Sequence, residues 1–401
     1  VFISHSKTFK TVKTNRQTMP IFARFHSQIP FIIALALILG LGTGTFAQQT
    51  VDADSITPQP SQNPEVHEVP MGNTIRELPT GLPFAAFDAG GAKEKELEDF
   101  IKEQYVAGLL VLQNGKVRLE RYALDHNATN PWSSLSVAKS VTSTLLGVAI
   151  KDGYIKSIDD PVTDYLPELK GSAWEGVKIR HLVTMTSGIK WNENYTDADS
   201  DIALFDTYKP EDGVKAIVGY MRQLPAENEP GKKFNYSTGE THLLGALISA
   251  ATGQSLSHYL SSKIWAPYGM EQSANWRLDG TGQEMAGCCL QMRLRDFGRF
   301  GQFVLEDGYI NGAQIVPDDW FKEATQIHMP LWPGGGYGFG WWIFDANSFQ
   351  AMGIYGQLIY INPSRNLVIA INSAWPEADS NVRHYAVARF LKSVTDEIDK
   401  E

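Results

Sequence analysis

Pro131-Trp132-Ser133-Ser134-Leu135-Ser136-Val137-Ala138-Lys139-Ser140 leads into a long apolar helical pattern, and everything else in the chain is arranged around it. Val137, Val141, Leu145, Val148 and Ala149 recur at helix spacing until Lys151-Asp152-Gly153, where the glycine supplies a C-terminal cap. A spacing of three keeps Ser136 and Lys139 on one face, so a hydroxyl and an amine become neighbours. Ser-x-x-Lys also occurs at Ser4-His5-Ser6-Lys7 and Ser187-Gly188-Ile189-Lys190, the second interrupted by glycine. Only Ser136 opens a helix, where the first-turn amides and the helix dipole favour negative charge developing at the serine. Taken singly, the motif reads more simply as an N-capping serine above an exposed lysine.

Outward from that helix, the pattern changes twice. Upstream, a charged helix is predicted at Lys93 to Glu103, and the apolar runs 107–112 and 116–122 flank Asn114-Gly115, a strong hairpin signal. Downstream, Asp160-Pro161 offers an N-cap and a first-turn proline, and helices are expected at Ile179 to Met185, Gly213 to Gln223, Thr238 to Thr252 and Ser257 to Trp265. Strands return at Tyr337 to Phe344, Gln357 to Asn362 and Leu367 to Asn372, with Pro363-Ser364-Arg365-Asn366 as a turn, before a closing helix at Asn381 to Lys392. Strands, helices, strands and a helix in that order predict an α+β fold: an antiparallel sheet flanked by helices, carrying an inserted α-helical lobe, with a cleft between the two.

The chain has 401 residues, 43% hydrophobic and 20% charged, enough for a sizeable core in one large domain or two. Before Ala47 there are five basic residues and no Asp or Glu, then the apolar run Phe31 to Leu39 and small residues up to Thr45-Phe46-Ala47. That is the layout of a signal peptide over residues 1–47, with Met19 as the expected start and export to the periplasm or medium as the consequence. The run is short for a membrane span, so no stable insertion is expected unless the signal stays uncleaved. Without residues 1–47 the chain keeps 30 basic against 45 acidic residues, which argues against nucleic acid as a partner. Residues 48–92, rich in Pro, Gln, Asn, Thr and Gly, read as an extended leader to a single domain over 93–401. The two cysteines, Cys288 and Cys289, are adjacent and could pair only through a strained ring, so they are expected as small buried core residues.

A second motif gives the serine a context. Pro230-Gly231-Lys232-Lys233-Phe234-Asn235-Tyr236-Ser237-Thr238-Gly239 places a tyrosine in a turn just before another helix. At roughly 4 Å and an effective dielectric of about 20, an ammonium contributes up to roughly 4 kcal/mol, enough to carry a phenol from about 10 towards neutrality. Tyr236 beside Lys139 would then work as a general base. The alternative for Tyr236 alone is a core tyrosine with a hydrogen-bonded hydroxyl.

Ser136-Val137-Ala138-Lys139, Tyr236-Ser237-Thr238-Gly239 and the intervening Leu182-Val183-Thr184-Met185-Thr186-Ser187-Gly188 resemble the serine β-lactamase-related superfamily, which includes class C β-lactamases, D-alanyl-D-alanine carboxypeptidases and carboxylesterases. Within it the chain is most similar to the 6-aminohexanoate-dimer hydrolase type, over roughly residues 95–395. Asp159-Asp160-Pro161, Tyr165-Leu166-Pro167, Arg295-Asp296-Phe297-Gly298-Arg299-Phe300-Gly301 and Tyr337-Gly338-Phe339-Gly340-Trp341-Trp342 add to the match. The resemblance implies a β-lactamase/transpeptidase-like fold and an exported serine hydrolase that cleaves an ester or amide. It makes Ser136 the acylated nucleophile, Lys139 its activator and Tyr236 the proton carrier to the leaving group and from water. A nucleophile, a cation and a tunable phenol are also, on chemical grounds alone, sufficient for acyl transfer through a covalent intermediate.

The third motif departs from the family. No Lys-[Ser/Thr]-Gly occurs; the matching segment is Gly353-Ile354-Tyr355-Gly356-Gln357, with no charge for a substrate carboxylate. Its glycines still allow an acyl group to approach the backbone, and the amides of Gln357 and Ser136 are expected to form an oxyanion hole, with Gly356 and Tyr355 beside it. D,D-peptidase or β-lactamase activity is the alternative enzymatic reading, and a penicillin-reactive or peptidoglycan-sensing binding protein without turnover the alternative outside catalysis. Trp191, with Tyr195 and Asp197, is expected at the cleft rim, with packing as the alternative for such loop aromatics; His181 and His242 read as structural, and Gly334-Gly335-Gly336 as a flexible entry to a strand. No metal-ligand spacing, phosphate loop or Gly-x-Ser-x-Gly is present, so no cofactor is expected and the partner is a small ester or amide.

Overall fold

In the computed structural model, residues 65–88 and 90–401 are described. The expected signal peptide (1–47) and the leader up to residue 64 lie outside the described residues. The leader's remaining part does not stay extended and free. Val66–Val69 pairs antiparallel with Ala274–Arg277, which pairs in turn with Leu290–Met292 and, beyond it, Trp132–Ser133, so residues expected before the domain are built into it.

The main sheet has eight antiparallel strands: β1 (Val106–Gln113), β2 (Lys116–Tyr122), β3 (Met329–Trp332), β4 (Gly335–Tyr337), β5 (Trp342–Asp345), β6 (Ser348–Gly353), β7 (Gln357–Asn362) and β8 (Leu367–Ser373). Their order is β2-β1-β8-β7-β6-β5-β4-β3. The β1–β2 turn carries Asn114 at φ 53 and Gly115 at φ 70, the paired left-handed conformation for which Asn-Gly is suited. The run Tyr337 to Phe344, expected as one strand, is two. The chain reverses over Gly338–Trp341 with Gly340 at φ 77, where the Gly340 N–H donates to Val183 O at 2.9 Å.

Both faces of the sheet are covered, which is why its central strands read as continuous apolar runs rather than alternating ones. On one face Leu109, Val111, Leu358, Ile369 and Ile371 pack against two helices, α1 (Ala92–Glu103) and the C-terminal Asn381–Ile398, whose Phe100 and Phe390 rings stack 4.4 Å apart. On the other, Leu110, Leu112, Ile359, Val368 and Ala370 face the amphipathic helix Leu294–Leu305 and, beyond it, the helical lobe.

Two helices of that lobe organise the site. α2 (Ala138–Lys151) follows a 3-10 turn at Leu135–Val137, and α3 (Thr238–Thr252) is capped by Ser237, whose hydroxyl accepts from the Glu240 N–H, and ends on Gly253 at φ 68. Antiparallel sheet, flanking helices and a helical lobe make the α+β arrangement expected from the order of the elements.

Candidate active site

Ser136 sits on the 3-10 turn that opens α2, just after Leu135, a non-glycine residue held at φ 44. Strained backbone of this kind costs about 1–3 kcal/mol and persists only where the surroundings enforce it. One turn on, the Lys139 ammonium lies 2.9 Å from Ser136 Oγ, and its other two partners are Thr238 Oγ1 at 2.9 Å and the Gly287 carbonyl at 3.0 Å. Lys139 is 2% exposed, so the exposed-lysine reading of the motif does not hold. The second Ser-x-x-Lys is different in kind: Ser187 donates to buried Glu240 at 2.6 Å while Lys190 is exposed, with Gly188 at φ 79 between them.

The carbonyl that holds Lys139 is itself fixed. The Gly287 N–H donates to His242 Nδ1 at 2.9 Å, and Thr142 Oγ1 donates to the adjacent Ala286 carbonyl at 2.7 Å. Burial and the nearby Lys139 charge take His242 down to about 3, which keeps its ring neutral and able to accept. The next residues correct an expectation. Cys288 and Cys289 are half-buried and joined as a disulfide, accommodated in a turn where Cys289 adopts φ 67.

Tyr236 arrives from the turn before α3. Its hydroxyl lies beside Ser136, and its ring stacks on Trp342 with centroids 5.7 Å apart. Lys139 Nζ lies 4.9 Å from the ring centre, and its three hydrogen bonds go elsewhere. The expectation that the lysine pulls the phenol towards neutrality is therefore reversed. Burial, then the carboxylates of Glu193 and Asp379, push Tyr236 well above the ordinary phenol range, with the Ser136 hydroxyl opposing. Lys139 is the group that moves towards neutrality: burial draws it down to about 8 against the pull of Glu193.

The β6–β7 turn closes the site from the sheet side. A Cβ on Gly353 would stand 2.8 Å from Ser134 O and 3.0 Å from the Ser136 amide nitrogen, so only glycine lets this strand end lie against the nucleophile's backbone. Tyr355 at φ 59 and Gly356 at φ 86 turn the chain away, and Gly356 packs on Trp375. The Gln357 side chain is fully occupied. Its Oε1 accepts from Trp132 Nε1 at 2.8 Å and the Ser373 N–H at 3.2 Å, and its amide nitrogen donates to the carbonyls of Ser373, Tyr355 and Ile354 at 2.7, 3.1 and 3.3 Å.

Trp191 is not at the rim. It is 6% exposed, set against Gly239 and edge-on to Tyr220, and its indole N–H donates to Glu193. Tyr195 is more exposed and donates to the same carboxylate at 2.7 Å, while Asp197 serves its own loop through Asn192 at 3.2 Å. Glu193, Thr238 and Gly287 went unassigned from sequence. Thr238 stood in the variable place of Tyr-Ser-x-Gly. Glu193 and Gly287 carry no motif. Among the described residues no cluster of His, Cys, Asp or Glu is arranged to hold a metal ion, and no helix is long and apolar enough to cross a membrane.

An antiparallel sheet and a helical lobe meeting at a serine, an amine and a phenol define a serine hydrolase of the β-lactamase and penicillin-binding architecture. Residues 95–392 match the model of the beta-lactamase family, and the chain belongs to that family. It is 26% identical over 334 residues to a 6-aminohexanoate-dimer hydrolase from Paenarthrobacter ureafaciens, covering 79% of this chain and 85% of that one. A solved structure of a candidate 6-aminohexanoate-dimer hydrolase from Bacillus anthracis superposes with a TM-score of 0.74 at 26% identity, covering 84% of this chain and 92% of the other. A family VIII carboxylesterase shares the fold, with a TM-score of 0.59 at 16% identity over 77% of this chain and 97% of its own.

Proposed function

We propose that the chain is an exported hydrolase that cleaves a small ester or amide through an acyl-enzyme on Ser136. The observation that carries this reading is the Lys139 amine, buried and 2.9 Å from Ser136 Oγ. In its neutral form it takes the Ser136 proton as Oγ attacks the acyl carbon. The scissile C–O or C–N bond then breaks as the leaving group takes the proton of Tyr236, a phenol kept protonated by its surroundings. Water attacks the acyl ester by the reverse proton path and restores Ser136. Backbone N–H groups of Ser136 and Gln357, brought close by Gly353, receive the negative charge on the acyl oxygen.

Likeness to 6-aminohexanoate-dimer hydrolases favours an amide of a short ω-amino acid, and likeness to carboxylesterases an ester. Both belong in one assay, a p-nitrophenyl ester and a short ω-amino-acid oligomer with the wild type and Ser136→Ala. Turnover that survives in the alanine variant would sink the assignment. Because the base is the neutral lysine, kcat/KM should rise with pH through about 8 and level off above it. Below that value the neutral fraction falls about tenfold per pH unit. A profile that instead falls across this range would remove Lys139 from the role. The β6–β7 turn brings no cation, which disfavours penicillin-like carboxylates, so nitrocefin should be turned over slowly or not at all and a fluorescent penicillin should leave no stable adduct.

A further inference from the structure

Glu193 lies in the loop after Trp191 and touches neither Ser136 nor Tyr236 through a hydrogen bond, yet four donors converge on it. Oε1 accepts from the Thr238 hydroxyl and from the Tyr195 hydroxyl at 2.7 Å. Oε2 accepts from the Thr238 backbone N–H at 3.0 Å and from the Trp191 indole N–H. A carboxylate offers about four lone-pair positions, so every one is filled by a donor and no place remains for a substrate ammonium. The consequence reaches Lys139 through Thr238. A threonine hydroxyl has one proton, and here it is given to Glu193, so towards Lys139 Nζ at 2.9 Å the same oxygen can only accept. The third neighbour, the Gly287 carbonyl at 3.0 Å, can also only accept.

A neutral amine has two N–H bonds and one lone pair. With both N–H bonds committed to Thr238 Oγ1 and Gly287 O, the lone pair is left facing the remaining neighbour, Ser136 Oγ. We propose that Glu193 is a positioning residue that, by holding the Thr238 proton away from Lys139, aims the lysine lone pair at the nucleophile. This inference rests on the acyl-enzyme reading given above. It assigns the Tyr-Ser-Thr-Gly threonine a defined task, since a residue there without a hydroxyl would leave one Lys139 N–H without a partner in a buried site.

Glu193→Gln changes one oxygen into NH2. The indole and backbone N–H groups cannot accept, so the remaining oxygen must serve them and the amide nitrogen must face the two hydroxyls, which can turn. The Thr238 proton is then free to point at the lysine lone pair. The plateau kcat should fall, by up to the roughly 10²- to 10⁴-fold that a positioned general base contributes, with KM little changed. Loss of the negative charge should also move the rise in the pH profile to lower pH, since Glu193 opposes the downward shift of Lys139. Thr238→Val should lose as much as Glu193→Gln, Thr238→Ser should keep the plateau that valine loses, and Glu193→Gln/Thr238→Val should be no worse than Thr238→Val alone. A loop that had merely loosened would give additive losses and leave the pH midpoint in place, and that result overturns the proposal, as does a wild-type plateau in Glu193→Gln. Should Glu193→Gln not fold by circular dichroism, the serine and valine variants of Thr238 decide the matter. Ser136→Ala run alongside separates the two levels: activity there defeats the acyl-enzyme reading, whereas a silent Ser136→Ala beside an unaffected Glu193→Gln defeats only the role of Glu193.

Discussion

Burial moves Lys139 towards neutral pH and Tyr236 away from it. An amine normally charged at neutral pH is placed where desolvation brings it to about 8, and a phenol beside it is held protonated by burial and two carboxylates. In the proposed mechanism the lysine would collect the serine proton and the tyrosine would deliver one. Tyr236→Phe should therefore lower kcat about 10²- to 10⁴-fold, and most for substrates with poor leaving groups. Comparing an alkyl amide with a p-nitrophenyl ester checks it, because the activated ester needs little proton donation. Gly353→Ala tests the opposite wall. Its Cβ would meet backbone atoms of Ser134 and Ser136 at 2.8 and 3.0 Å, which have no rotamer to change. Loss of oxyanion geometry should cost about 100-fold or more in kcat, read in the same steady-state assay.

Among the elements, the helix Leu294–Leu305 shows why the motif Arg295-Asp296-Phe297-Gly298-Arg299-Phe300-Gly301 needs its glycines. A Cβ on Gly298 would stand 2.6 Å from Leu110 Cδ2, and one on Gly301 2.5 Å from Val368 Cγ1 and 2.9 Å from Ile359 Cγ2. The helix can lie this close to the sheet only with a bare backbone there. Charged residues on its other sides hold the approach, Arg295 bidentate to Glu120 at 2.8 Å for both bonds and Arg299 to Glu271 at 2.9 Å. Gly301→Ala should destabilise by about 1–3 kcal/mol through overpacking, visible as a lower denaturant midpoint at unchanged slope. An unchanged midpoint would mean that the sheet side chains yield freely.

For the whole molecule, the segment before α1 belongs to the domain rather than to a linker. Val69 is completely buried, Arg76 makes a bidentate pair with Glu306 at 2.6 and 2.8 Å, and Arg299 Nε donates to the Arg76 carbonyl at 2.9 Å. At the other end of the chain, Glu401 accepts from Arg118 on β2 at 2.5 and 3.0 Å, which ties the C-terminal helix to the sheet edge. A chain that begins at residue 92 should thus melt below the full chain or fail to stay soluble. Equal melting temperatures would show that residues 65–91 add nothing to the fold.

What the order of residues determined by itself was local. Helix spacing put Ser136 and Lys139 on one face, Asn114-Gly115 turned a hairpin, and α3 spans Thr238–Thr252 as its pattern predicts, because each depends on neighbours within a turn or two. The architecture was legible for a related reason: the succession of strand and helix periods restricts how apolar faces can be covered. The shifts of ionisable groups, by contrast, depend on what is packed around a group from distant parts of the chain, and here burial moved the Tyr236 phenol away from neutrality rather than towards it. The same holds for Trp191, whose buried setting comes from Gly239 and Tyr220. Glu193 is the sharpest case: nothing in Asn192-Glu193-Asn194 marks it, since its importance arises only where two donors of its own loop, Trp191 and Tyr195, and two of the distant Thr238 meet one carboxylate.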